Sequence, residues 1–137
     1  MGYYSEVYIA VPKKDEAELD AIMNKHDLLE SEDEYGDNRF EKRKYTSRWK
    51  DFDKNRNIIE TSIDLVIYEA SCLKWYAEFK DVKEVGAFIQ EKQHIDSSDY
   101  KSFGRAMVCV GEDNEVHSHI GDYWDFFKVY TKVEVSI

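Results

Sequence analysis

The sequence predicts an α+β fold: a single domain over residues 1–137, with a mostly antiparallel sheet carrying helices on one face, in the order β-α-β-β-α-β-β. Three observations carry that prediction. Apolar and polar residues alternate with period two near both ends of the chain, two stretches between them have helical periodicity, and turn-rich polar connectors separate the runs. At 137 residues the chain is long enough for one buried core and too short for two, and no repeat, Pro-rich linker or low-complexity tract divides it.

Residues 3–11 read as the first strand. Tyr3, Ser5, Val7, Ile9 and Val11 alternate with Tyr4, Glu6, Tyr8 and Ala10, and Pro12 lacks the backbone N–H needed to go on pairing. From Lys14 the period lengthens, with Ala17, Leu19, Ile22 and Met23 on one helical side and Glu16, Glu18, Asp20 and Asp27 on the other. The acids crowd the first turn, where the helix dipole is positive. Residues 30–38 hold five acids and no aliphatic side chain, the composition of an exposed loop.

Residues 39–52 and 58–69 are expected to pair as a hairpin across Asp53-Lys54-Asn55-Arg56-Asn57. Tyr45, Trp49 and Phe52 also have helical spacing, but the clean alternation of Ile59, Thr61, Ile63, Leu65 and Ile67 beside them favours sheet. Ser71 is placed to cap a helix beginning near Cys72, with Leu73, Tyr76 and Phe79 at helical spacing. The pattern restarts at Asp81 with Val82, Val85, Phe88 and Ile89, so one broken helix or two consecutive ones are expected. Residues 103–110 resume a strand that ends at Gly111-Glu112-Asp113-Asn114. Residues 126–137 make the clearest strand, with Phe127, Val129, Thr131, Val133, Val135 and Ile137 on one face.

Hydrophobic residues at 42% and aromatic residues at 15% argue against disorder, although 35% of the chain is charged and the net charge is −10. No basic stretch followed by an apolar run opens the chain and no window has the length of a membrane span, so a cytoplasmic protein is expected. Gly2 does not mark a lipidation site, because Glu6 stands where that motif needs Ser or Thr. Cys72 and Cys109 lie in apolar stretches and are expected to be buried reduced thiols.

Charge is distributed unevenly along the chain. Residues 1–38 carry a net −8, residues 39–56 a net +5 and residues 57–137 a net −7. The basic segment interleaves Arg39, Lys42, Arg43, Lys44, Arg48, Lys50, Lys54 and Arg56 with Tyr45, Trp49 and Phe52. Cations mixed with stacking surfaces suit a nucleotide or single-stranded nucleic acid, with Arg43, Arg48, Trp49 and Lys50 as its contacts. Overall acidity opposes a polyanion, and the bland alternative is that the segment meets the acidic helix or another subunit. The acids of residues 16–37, Glu32, Asp33 and Glu34 among them, have a further reading as a negative stripe that imitates DNA phosphates.

Chemistry-bearing motifs are sparse. His117 and His119 are two residues apart and would point to one side of an extended segment, making them the best metal candidate, but no third ligand is fixed by spacing. No phosphate-binding loop, nucleophile elbow or Cys pair is present, so neither an enzyme nor a cofactor is expected. Leu73-Lys74-Trp75-Tyr76 sets two large aromatics together. At least one of Trp75 and Tyr76 then stays partly exposed, as core packing or as an anchor for a partner.

The run Leu73-Lys74-Trp75-Tyr76-Ala77-Glu78-Phe79-Lys80-Asp81-Val82, the strand ending Gly111-Glu112-Asp113, the Gly121-Asp122 pair and the alternating terminal strand together resemble a family of small phage and prophage proteins. The likeness covers the C-terminal half. It departs from that family where Val108-Cys109-Val110 replaces a strand that often carries an Arg. The resemblance implies a phage-encoded accessory protein in the host cytoplasm that binds and disables a host protein, defence systems included, and it implies no catalytic residue. Trp75, Tyr76 and the acids Glu32, Asp33 and Glu34 are the expected contacts, and a homodimer through sheet edges or exposed aromatics is a further expectation.

Overall fold

The computed structural model describes residues 4–29, 39–95, 103–129 and 133–135. The fold is α+β, as the sequence predicts. Its main feature is a five-stranded sheet in the order β2-β3-β1-β4-β5, with every neighbouring pair antiparallel. The strands are β1 (Ser5–Pro12), β2 (Glu41–Phe52), β3 (Ile58–Leu73), β4 (Ala106–Val110) and β5 (Val116–Ile120). The helices α1 (Glu16–Lys25) and α2 (Lys80–Glu91) cover one face.

Burial on both faces of the sheet explains where alternation is strong and where it fades. On the helix side, Val7, Ile9, Val11, Val66, Tyr68 and Met107 pack against Leu19 and Met23 of α1 and Val85, Phe88 and Ile89 of α2. On the opposite side, Ala10, Leu65, Ile67, Ala106, Val108 and Val110 pack against Phe126 and Phe127. Strands buried on both sides need apolar residues at consecutive positions, so their period-two signal weakens.

Helix α1 ends in a Schellman turn. The Leu28 N–H donates to Met23 O at 2.8 Å and the Asp27 N–H to Asn24 O at 3.2 Å, with Asp27 left-handed at φ 56° where glycine is usual. Arg39 holds that residue in place, its Nη2 donating to Asp27 Oδ2 at 2.7 Å. The buried side chains of Leu28 and Met23 complete the motif in the core.

Three expectations need correction. No helix begins near Cys72: β3 runs on to Leu73, pairing Ala70 with Val7 and Leu73 with Ser5, and α2 starts at Lys80. Leu73, Tyr76 and Phe79 share helical spacing by coincidence, since Leu73 ends a strand and Tyr76 lies on the connector. Residues 116–120 form a strand, β5, which the sequence order omitted. Residues 126–137 are not one strand: β6 (Phe127–Val129) and β7 (Val133–Val135) pair antiparallel with each other, Phe127 opposite Val135. The alternation there was real, but it spans two short strands. Residues 30–38, expected as a loop, lie outside the described residues.

Candidate functional site

The β2–β3 hairpin is much longer than the sheet it belongs to. β1 pairs with β3 only from Leu65 to Leu73, while β2 pairs with β3 from Glu41 opposite Glu69 out to Phe52 opposite Ile58. The outer half, residues 46–64, is therefore a two-stranded ribbon with no third strand beside it among the described residues. Its turn is well built: Asp53 Oδ1 accepts the N–H groups of Asn55 and Asn57 at 2.8 Å each, and Arg56 takes the left-handed position at φ 63°. At the tip Phe52 and Ile58 are 66% and 67% exposed, and Ile59 43%.

The base of the same hairpin is anchored on the acidic helix. Lys42 Nζ donates to Glu16 Oε2 at 2.9 Å and to Asp20 Oδ2 at 2.7 Å, and the Tyr68 hydroxyl donates to Asp20 Oδ1 at 2.8 Å. Burial works against the charged form of Lys42, but the two carboxylates outweigh it and its pKa is raised. Arg39 beside Asp27 holds that carboxyl below the usual range. Among the described acids of the supposed negative stripe, Glu16, Asp20 and Asp27 are thus held by cations of the basic segment. Glu32, Asp33 and Glu34 lie outside the described residues.

The basic segment changes meaning once its strand partner is known. Residues 46–64 carry four cations, Arg48, Lys50, Lys54 and Arg56, against four carboxylates, Asp51, Asp53, Glu60 and Asp64, so the ribbon is neutral overall. Lys50 lies opposite Glu60 in register, and Thr46 donates to Asp64 Oδ1 at 2.9 Å across the strands. A cationic outer strand also fits its place in the sheet, because charged side chains on an edge discourage pairing with stray strands. Arg43 is exposed and lies 3.8 Å from Glu41, while Trp49 takes its register position opposite Thr61.

Trp75 and Tyr76 sit on the connector between β3 and α2. Trp75 is half-buried, its ring edge-on to Phe40 at 5.8 Å, and Tyr76 makes a similar contact with Phe79 at 5.2 Å. Trp75 also lines a groove of about 360 Å³ between α2 and the edge strand β5, with Val82, Met107 and Ile120 among its walls.

His117 and His119 both lie on β5, but the pairing with β4 shifts there. Val110 pairs with Val116 and Cys109 with Ser118, so His117 is an extra residue in β5 and strict alternation fails across it. His117 Nε2 meets Asp113 Oδ1 at 2.8 Å, and His119 Nδ1 donates to Gly121 O at 3.2 Å. Among the described residues no three His, Cys, Asp or Glu side chains converge as metal ligands.

Sequence reasoning passed over His94, which is 4% exposed. Its Nε2 is 2.7 Å from Asp125 Oδ2, and its Nδ1 accepts the Gly104 N–H at 3.0 Å. Because Nδ1 must present its lone pair, the proton sits on Nε2 and is donated to Asp125. The ring stacks on Phe103 and meets Phe126 edge-on. An Asp-His pair is familiar from acid-base catalysis, but here the nitrogen that would take a proton is occupied by backbone, so the pair holds the chain together. No local motif signals it, since the two residues are 31 positions apart.

Cys109 is a buried free thiol, hydrogen-bonded with Ser5 and Ser118, and burial pushes its pKa up. A protonated, inaccessible thiol is a poor nucleophile. Iodoacetamide applied to the native protein is expected to leave Cys109 unmodified, with peptide mapping finding alkylation there only after denaturation. Labelling in the native state at the rate of a free thiol would contradict this placement.

No described helix is long and apolar enough to cross a membrane. Comparison of the chain with protein-family models, curated proteins and solved structures finds no match. A functional reading must therefore come from the chain's own surfaces.

Proposed function

We propose that the chain acts by stoichiometric contact with a partner protein and that the tip of the β2–β3 ribbon is the contact. The observation that supports this is the tip itself, where Phe52 and Ile58 share the last rung and are 66% and 67% exposed, Ile59 facing the other side of the ribbon. Single exposed apolar residues are ordinary, but Phe52 and Ile58, directly opposite each other on one face at the end of a projecting ribbon, make a patch. Full burial of each would contribute about 1.5–3 kcal/mol, so these two anchors supply a useful share of a protein–protein affinity. The neutrality of the ribbon favours a protein surface over a polyanion. In the reading that the phage-like C-terminal half implies, the partner belongs to the host and binding disables it.

Affinity capture from host-cell lysate, run in parallel with the intact chain and with a Phe52→Ser, Ile58→Ser variant, tests the proposal. The intact chain should retain a partner at a fixed ratio and the variant should lose it, with thermal unfolding of the two alike. Equal recovery by both would overturn the assignment of the tip.

A further inference from the structure

We propose that the outer edge of β2 receives an extended acidic strand of the partner protein, which joins the sheet beside it. This inference rests on the ribbon being the contact. β2 is the last strand in the sheet order and pairs with β3 alone over its 12 residues. Among the described residues no strand pairs with its other side, and Leu29 bridges only Phe40, just ahead of it. A row of backbone donors and acceptors on a free edge is a template for strand addition.

The side chains along that edge select what is added. Lys42, Lys44, Arg48 and Lys50 share one face of β2, at every second position but for Thr46. Lys42 is already held by Glu16 and Asp20. Lys44, Arg48 and Lys50 make no ion pair among the described residues. A second copy is a poor occupant: antiparallel self-pairing centred on Thr46 sets Lys44 against Arg48, and centring on Ser47 sets Lys44 against Lys50. Like charges directly opposite are destabilising. A nucleic acid would offer negative charge but no ladder of amide donors. An acidic strand meets both demands, with carboxylates at alternate positions opposite Lys44, Arg48 and Lys50.

The test uses isotope-labelled full-length protein and short alternating peptides. A Val-Glu peptide should shift the amide signals of β2 around residues 44–50. It should bind about tenfold more tightly than its Val-Lys counterpart, as three cross-strand charge pairs imply. That preference runs against the net charge of −10, so nonspecific attraction would give the opposite order. Methylating alternate backbone nitrogens of the Val-Glu peptide should abolish binding to the unaltered protein, and joint Lys44→Gln, Arg48→Gln and Lys50→Gln replacement should remove the preference. Equal or tighter binding of the Val-Lys peptide or of a thymidine oligonucleotide, shifts centred on β5, or tolerance of the methylated peptide would each overturn the inference. Loss of partner capture on altering Phe52 and Ile58 would stand apart from all of these, so the edge can fail while the tip survives.

Discussion

Replacing Asp15 with Ala is expected to lower stability by about 3–5 kcal/mol, a large part of what a domain of this size possesses. Asp15 and Arg105 form a buried ion pair, Nε to Oδ2 at 3.1 Å, with side chains only 8% and 2% exposed. The guanidinium also donates from Nη1 to Phe88 O at 2.6 Å and lies over the Phe88 ring at 3.7 Å. Arg105 thereby joins the start of α1, the end of α2 and the approach to β4. Asp15 occupies the N-cap of α1 but makes no capping bond with its side chain. Removing it strands a cation that cannot shed its proton. Urea denaturation gives the loss directly, and adding Arg105→Met should recover much of it, because a pair replaced together leaves no unpaired charge. A loss below about 1 kcal/mol for Asp15→Ala would mean that the pair behaves like one at the surface.

Replacing Gly104 with Ala is expected to be the next most damaging change, at about 1–3 kcal/mol or beyond. A methyl group there would lie 2.7 Å from His94 Cα and 2.8 Å from both His94 N and Lys92 O. These are backbone atoms of a tightly bonded junction and cannot swing aside. His94 N–H donates to Arg105 O at 2.6 Å, and the Asp122 N–H to His94 O at 2.8 Å. Displacing residue 104 should also release the Gly104 N–H from His94 Nδ1, so the imidazole nitrogen shifts should move with the fall in denaturation midpoint. Unchanged stability and unchanged ring signals would contradict the packing described. Gly121 borders the same junction, left-handed at φ 75° with Arg105 O at 2.9 Å from its would-be Cβ.

Much of this fold was legible because period two and period 3.6 leave clear marks wherever one face of an element is more deeply buried than the other. The start of the chain, the long hairpin and α2 from Val82 to Ile89 were found that way. What failed has physical causes. The far end of β3 is paired on one side by β1 and turns away from alternation near Ser71, so a cap residue and three well-spaced apolars imitated a helix. β5 is short and carries an extra residue at His117, which leaves no run long enough to read. The Asp15–Arg105 and His94–Asp125 contacts join positions far apart in the chain, and nothing local announces them. Charge was legible as a count but not as an arrangement. The net +5 of residues 39–56 became, once β3 was paired beside it, an edge strand anchored at Lys42 and balanced by Glu60 and Asp64 further out.

Hydrogen exchange of the captured complex against the free chain tests the proposed contact most directly. Protection should appear at the ribbon tip, residues 52–59, and extend along β2, with the α2–β5 groove exchanging as in the free chain. Protection centred on the groove beside Trp75 or on α1, with the ribbon unchanged, would contradict the account.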